Sequence, residues 1–189
     1  MSGLPRFKLA FIGTHGVGKT TLCYGLAALL KARDCSLDIV HEVARRCPLP
    51  INEETSPAAQ SWILHTQIAE EIQAQARYPV VLCDRSVLDN YVYLLLAAGR
   101  QDRLEAMVDG WMTGYDLLVH VPIVDVPSPD GVRSDNPSFQ RAVDARLERE
   151  LVARRLFALP LDPNARDRWL EVVEREVWAR LRPAQLSLL

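Results

Sequence analysis

Short, mostly apolar runs alternate along this chain with longer stretches in which apolar residues recur every three or four positions. The short runs, Phe7 to Ile12, Leu37 to His41, Val80 to Cys83, Leu117 to Val121 and Leu156 to Leu159, predict strands. The periodic stretches predict helices over Lys19 to Arg33, Ala58 to Arg77, Val87 to Ala98, Leu104 to Thr113, Ser138 to Arg155 and Ala165 to Leu181. Strands that are apolar along their length have no side to offer to water, so they belong in a parallel sheet covered on both faces. The expected architecture is a three-layer α/β fold. Ser86, with Asp89 three residues on, is a capping-box variant that opens one helix, while Pro79 and Gly99 fall at element ends where a breaker belongs. Pro122 to Pro137 is rich in Pro, Asp, Ser and Gly and long for a compact domain, which marks it as a lid or a disordered loop.

A chain of 189 residues fits a single domain spanning 1–189, able to bury a core without disulfides or metals. The formal charge of −2, with basic residues dispersed in pairs, argues against strong nucleic-acid binding and against an anionic membrane. Cys23, Cys35, Cys47 and Cys83 form no close pair and are expected to be reduced thiols in the cytoplasm. No apolar run approaches the length needed to cross a bilayer, and the N-terminus lacks the pattern of a secretion signal.

The most specific pattern follows the first predicted strand. Gly13-Thr14-His15-Gly16-Val17-Gly18-Lys19-Thr20-Thr21 has the two glycines, lysine and hydroxyl residue of a phosphate-cradling loop. The glycines let backbone amides face phosphate oxygens, and the following helix points its positive end at them. Lys19 is expected to meet the β- and γ-phosphates of ATP, and Thr20 a magnesium ion. His15 occupies a variable position of the loop, where only its amide is needed.

In a parallel sheet, ligands gather beyond the carboxyl ends of the strands. The second strand ends at His41-Glu42 and the third at Asp84-Arg85-Ser86. Asp84 has the strand-end position from which a carboxylate assists magnesium, and Arg85 is shaped to bridge an acceptor and a phosphate oxygen. Glu42 is the candidate base for an acceptor hydroxyl, with Arg45 three residues on to steady it or to hold the substrate. Arg133 in the long loop, and Arg141 after it, are the candidates for an arginine lowered onto the phosphates. Trp62 is a candidate ring-stacking wall of an acceptor pocket. The plainer alternatives are a helix cap for Asp84, a solvated strand end for Glu42, ion pairs for Arg85 and Arg45, a flexible polar surface loop for Arg133 and a core position for Trp62. His41 and His120 are not spaced as a metal pair with another ligand.

Taken in order, the Gly13 to Thr21 loop, Glu42-Val43-Ala44-Arg45, Asp84-Arg85-Ser86 and Asp130-Gly131-Val132-Arg133-Ser134 resemble the P-loop domain of the NadR-type ribosylnicotinamide kinase family. The resemblance covers nearly the whole chain. It implies a nucleoside and nucleotide kinase fold with a five-stranded parallel sheet in the order 2-3-1-4-5, and transfer of the ATP γ-phosphate to a nucleoside hydroxyl. Asp84-Arg85-Ser86 is also similar to the acidic-Arg-Ser step of deoxynucleoside kinases, in which the acidic residue helps to hold magnesium and a catalytic glutamate follows the second strand; that supports Glu42. NadR-type proteins usually carry an adenylyltransferase domain ahead of the kinase, and here only a few residues precede the first strand. The family also includes nucleotide-binding members with a regulatory role, so a regulatory ATPase or GTPase without a small-molecule acceptor is the alternative expectation. A polynucleotide 5′-kinase is less favoured, because the chain lacks a basic balance.

Overall fold

A computed structural model describes residues 5–125 and 136–181. It contains a five-stranded parallel sheet of β1 (Phe7–Ile12), β2 (Leu37–Val40), β3 (Val80–Cys83), β4 (Leu117–His120) and β5 (Leu159–Pro160), in the order β2-β3-β1-β4-β5. This is the expected order. β1 lies at the centre, with Ala10 beside Cys83 on one side and Ile12 beside His120 on the other.

The alternation of side chains along β1 builds two cores. Leu9 and Phe11 point into a cluster with α1 (Lys19–Lys31) and α6 (Trp169–Leu181), while Ala10 and Ile12 point into one with α2 (Pro57–Arg77), α3 (Val87–Ala98), α4 (Asp102–Met112) and α5 (Pro137–Ala153). Both faces of the sheet are thus dry, which is why its strands carry few polar residues. No described helix is long and apolar enough to cross a membrane.

Two predicted boundaries move for visible reasons. The last strand is not Leu156 to Leu159: Arg155 takes a left-handed φ of 54°, and the chain pairs with β4 only at Leu159 and Pro160. The last helix starts at Trp169, because Arg166–Arg168 form a separate 3-10 turn. A second 3-10 turn, Val43–Arg46, continues β2 and fixes where Glu42 stands.

The helix starts differ in kind. Ser56, Ser86 and Asn136 cap α2, α3 and α5 with their side chains, and Ser86 with Asp89 forms the expected capping box. At α1 the N-cap is Gly18, in the left-handed region at φ 97°, with no capping side chain and no acidic residue in the first turn. That end keeps its positive character for an external anion.

Candidate active site

The phosphate loop is fixed from three sides. Gly13 has φ 139°, and a Cβ there would lie 2.6 Å from the carbonyl oxygen of Val121, so only glycine fits between β1 and β4. Its amide donates to Asp89 Oδ1 at 2.8 Å, while Asp89 Oδ2 accepts from the Ser86 amide at 2.9 Å. The cap of α3 therefore also anchors the loop. On the far side Gln140 Nε2 donates to the His15 carbonyl at 3.0 Å.

Lys19 turns back on its own loop. Its ammonium donates to the carbonyls of Gly13, at 2.8 Å, and Thr14. Burial and the neighbouring Arg85 guanidinium lower its pKa to about 7, against the pull of Asp89, Glu42 and Asp84. An anion beside it restores the charged form.

Thr20 and Asp84 lie side by side: Thr20 Oγ1 donates to Asp84 Oδ2 at 2.7 Å. Burial raises the Asp84 pKa, partly offset by the Thr20 hydrogen bond and Lys19. Its other oxygen, Oδ1, is buried and has no hydrogen-bond partner. An orphaned carboxylate oxygen beside a hydroxyl is a hard-oxygen donor set suited to Mg²⁺, so these residues fit the implied ion.

β3 is the direct neighbour of β1 and β2 lies one strand further out, yet Glu42 reaches the same place. Glu42 Oε1 accepts from Arg85 Nε at 2.7 Å and Oε2 from Arg45 Nε at 2.9 Å. Burial disfavours the Arg85 charge, but Glu42, Tyr93 and Asp89 outweigh it and raise its pKa. Arg85 Nη1 is buried without a partner.

Two cavities meet here. Gly16, Val17, Gly18, Lys19, Thr20, Asp84, Glu42 and Arg85 line the first. Glu42 and Arg85 also line the second, with Arg45, Ile51, Gln60, Ile63, Asn90 and Tyr93 among its other walls. Within it Gln60 Oε1 and Asn90 Nδ2 are buried and unpartnered. One wall is thus apolar, and an acceptor and a donor remain for a ligand.

Other expected site residues fall elsewhere. Trp62 is half-buried on α2 but does not line the second cavity, whose aromatic wall is Tyr93. Thr21 is exposed on the first turn of α1, and Arg141 is exposed, donating to Ser138 Oγ at 3.3 Å. Arg133 and most of the Pro122 to Pro137 loop lie outside the described residues. His15 contributes more than an amide: its ring stacks on Phe139 at 5.8 Å, and Nδ1 lies 3.1 Å from the Tyr93 hydroxyl. His120, unremarkable in linear spacing, has Asp144 and Glu148 beside it, in a grouping able to hold a metal. Burial lowers its pKa, but the Asp144 hydrogen bond and charge outweigh this and raise it, and His120 Nε2 lies 3.3 Å from Asp144 Oδ1.

Gln60, Asn90, Tyr93, Asp89 and Gln140 were not singled out as site residues from sequence. Gln60 and Ile63, like Asn90 and Tyr93, are three apart on a helix, a spacing that shares a face. That signal identifies a face without telling which cavity it meets.

The sequence profile of the AAA domain family matches residues 8–168. The chain belongs to this AAA domain family. No curated protein matches it. Among solved structures, this AAA domain is similar to deoxyadenosine kinase from M. mycoides with bound dATP, with a TM-score of 0.64 and 15% identity over 90% of this chain and 98% of that one. At that identity the likeness establishes a common fold, the P-loop nucleoside kinase architecture.

Proposed function

We propose that this AAA domain is an ATP- and magnesium-dependent phosphotransferase that moves the γ-phosphate to a hydroxyl of a nucleoside-like small molecule. The observation that carries this reading is the meeting of two cavities at one carboxylate and one guanidinium, Glu42 and Arg85. A hydrolase needs only the first cavity. The second, with an apolar wall and two unpartnered amide atoms, Gln60 Oε1 and Asn90 Nδ2, suits a planar, hydrogen-bonding acceptor. The fold likeness to a deoxyadenosine kinase supports a nucleoside-like acceptor.

The residues divide the work. The glycine-loop amides and the open end of α1 seat the phosphate chain, and Lys19 leaves the Gly13 and Thr14 carbonyls to meet it. Thr20 and Asp84 would hold Mg²⁺, which when bound neutralises charge on the phosphate oxygens. The acceptor oxygen forms its bond to γ-phosphorus as the bond to the β-bridging oxygen breaks and ADP leaves. Glu42 takes the hydroxyl proton, and Arg85 fixes Glu42 and offers Nη1 to the transferring group. Positioning and charge neutralisation are most of what phosphoryl transfer requires.

The test is ATP turnover against a panel of nucleosides that includes ribosylnicotinamide. One of them is expected to accelerate ADP release and to appear phosphorylated. Glu42→Gln is expected to reduce that transfer by about 10²- to 10⁴-fold with ATP affinity close to wild type. Turnover indifferent to every nucleoside would replace this reading with a regulatory nucleotide hydrolase.

A further inference from the structure

One cation stands over the phosphate loop without belonging to the Glu42 cluster. Arg166 lies in the 3-10 turn before α6, with its side chain 54% exposed. A Cβ placed on Gly18 would come within 3.8 Å of its Nη2. Gly18 is the uncapped start of α1, so the guanidinium sits near the positive end of a helix, where a cation is repelled. Two contacts hold it there. Asp125, after β4, accepts from Nη1 at 2.5 Å, and the Trp169 ring centre lies 5.9 Å from the guanidinium carbon. The Asp125 side chain is 67% exposed, and an ion pair so open to water is weak and readily exchanged.

Two buried atoms in the adjoining cavity, Asp84 Oδ1 and Arg85 Nη1, lack partners and mark it independently as a ligand seat. Resting on the triphosphate reading above, we infer that Arg166 is a nucleotide-binding residue that grips the phosphate chain, and that Asp125 is its built-in competitor. The guanidinium fork matches two oxygens at once, whether of a carboxylate or of a phosphate. Asp125 takes Nη1 while Nη2 lies toward Gly18, so a phosphate gripped by both nitrogens has to displace Asp125 from Nη1. Nucleotide affinity is therefore reduced by the fraction of Arg166 that Asp125 occupies.

The consequence is opposite in sign for the two partners. In calorimetric titrations of the full chain with ATP and Mg²⁺, Arg166→Gln is expected to weaken binding roughly tenfold, and Arg166→Lys by less. Asp125→Asn is expected to tighten binding by roughly two- to fivefold, and that gain should vanish in the Arg166→Gln background. Adenosine, lacking phosphates, should give no difference between wild type and the two variants. If the pair were only a brace between two loops, Asp125→Asn would leave ATP affinity unchanged or weaken it, and either result overturns the inference. Wild type that binds ATP while Arg166→Gln binds equally well overturns it alone. Wild type that binds no purine triphosphate overturns the triphosphate reading, and this inference with it.

Discussion

Two buried ionic clusters touch at Arg85, and they are finished to different degrees. In the first, Glu71 is fully buried, and each of its oxygens accepts two hydrogen bonds: Oε2 from Lys8 and Trp111, Oε1 from Tyr115 and Gln67. The Lys8 ammonium also lies 4.8 Å from the Trp111 ring centre and 4.3 Å from that of Tyr115. Every charge is met, and only one neutral atom of the group, Gln67 Oε1, lacks a partner. Gln67 Nε2 reaches on to the Arg85 carbonyl at 3.1 Å, where the second cluster begins. There Asp84 and Arg85 each keep a buried charged-group atom without a partner, and Lys19 donates to the backbone carbonyls of Gly13 and Thr14. A completed network holds helices together; an incomplete one reserves its bonding capacity for something that arrives later.

The contrast is open to direct attack, and the strongest blow falls on the completed cluster. Glu71→Ala leaves Lys8 buried without its counter-charge, so urea unfolding should show a loss of about 3–5 kcal/mol. A loss below about 1 kcal/mol would deny the cluster its structural role. Asp84→Asn should do the reverse. Burial already disfavours its carboxylate, so an amide that still accepts from Thr20 is expected to hold or raise stability by about 0.5–2 kcal/mol while magnesium-dependent nucleotide binding is lost. A clear destabilisation would place Asp84 with Glu71 instead.

A gentler probe is pH. The folded chain holds the Lys19 pKa near about 7 against 10.5 for an ordinary lysine, so between those values the unfolded chain binds more protons. This group therefore makes the free protein more stable as pH rises from about 7 to 10.5. Triphosphate favours the charged ammonium, so ATP binding takes up a proton in the same range and weakens with rising pH, by at most about tenfold per unit. Titrations in buffers of differing ionisation enthalpy would show the uptake; affinity flat above neutral pH would remove Lys19 from the linkage.

The two clusters were also unequally legible. The glycine loop, Thr20 and Asp84 could be read because local spacing alone defines them, and the sheet followed from apolar runs bounded by breakers. Glu42 stood out as a polar residue at a strand end, although its pairing with Arg85 spans 43 positions. The Glu71 cluster gave no local sign: Lys8 and Glu71 are 63 residues apart, and each looks like a solvated charge until the helices close over it. Arg166 was hidden for the same reason, since its meeting with Asp125 depends on two loops from different strands. The failure of Trp62 to reach the cavity was a matter of helix phase. Ile63, one residue on, faces the cavity that Trp62 misses.

The backward fold of Lys19 has one more consequence. Two carbonyl groups keep that ammonium at home, and a visitor must offer better company to draw it out. Adenosine brings nothing to trade, whereas a chain of anionic oxygens does. The entrance thus screens by charge before shape is ever consulted, and an uncharged mimic of the nucleotide should find the seat still taken.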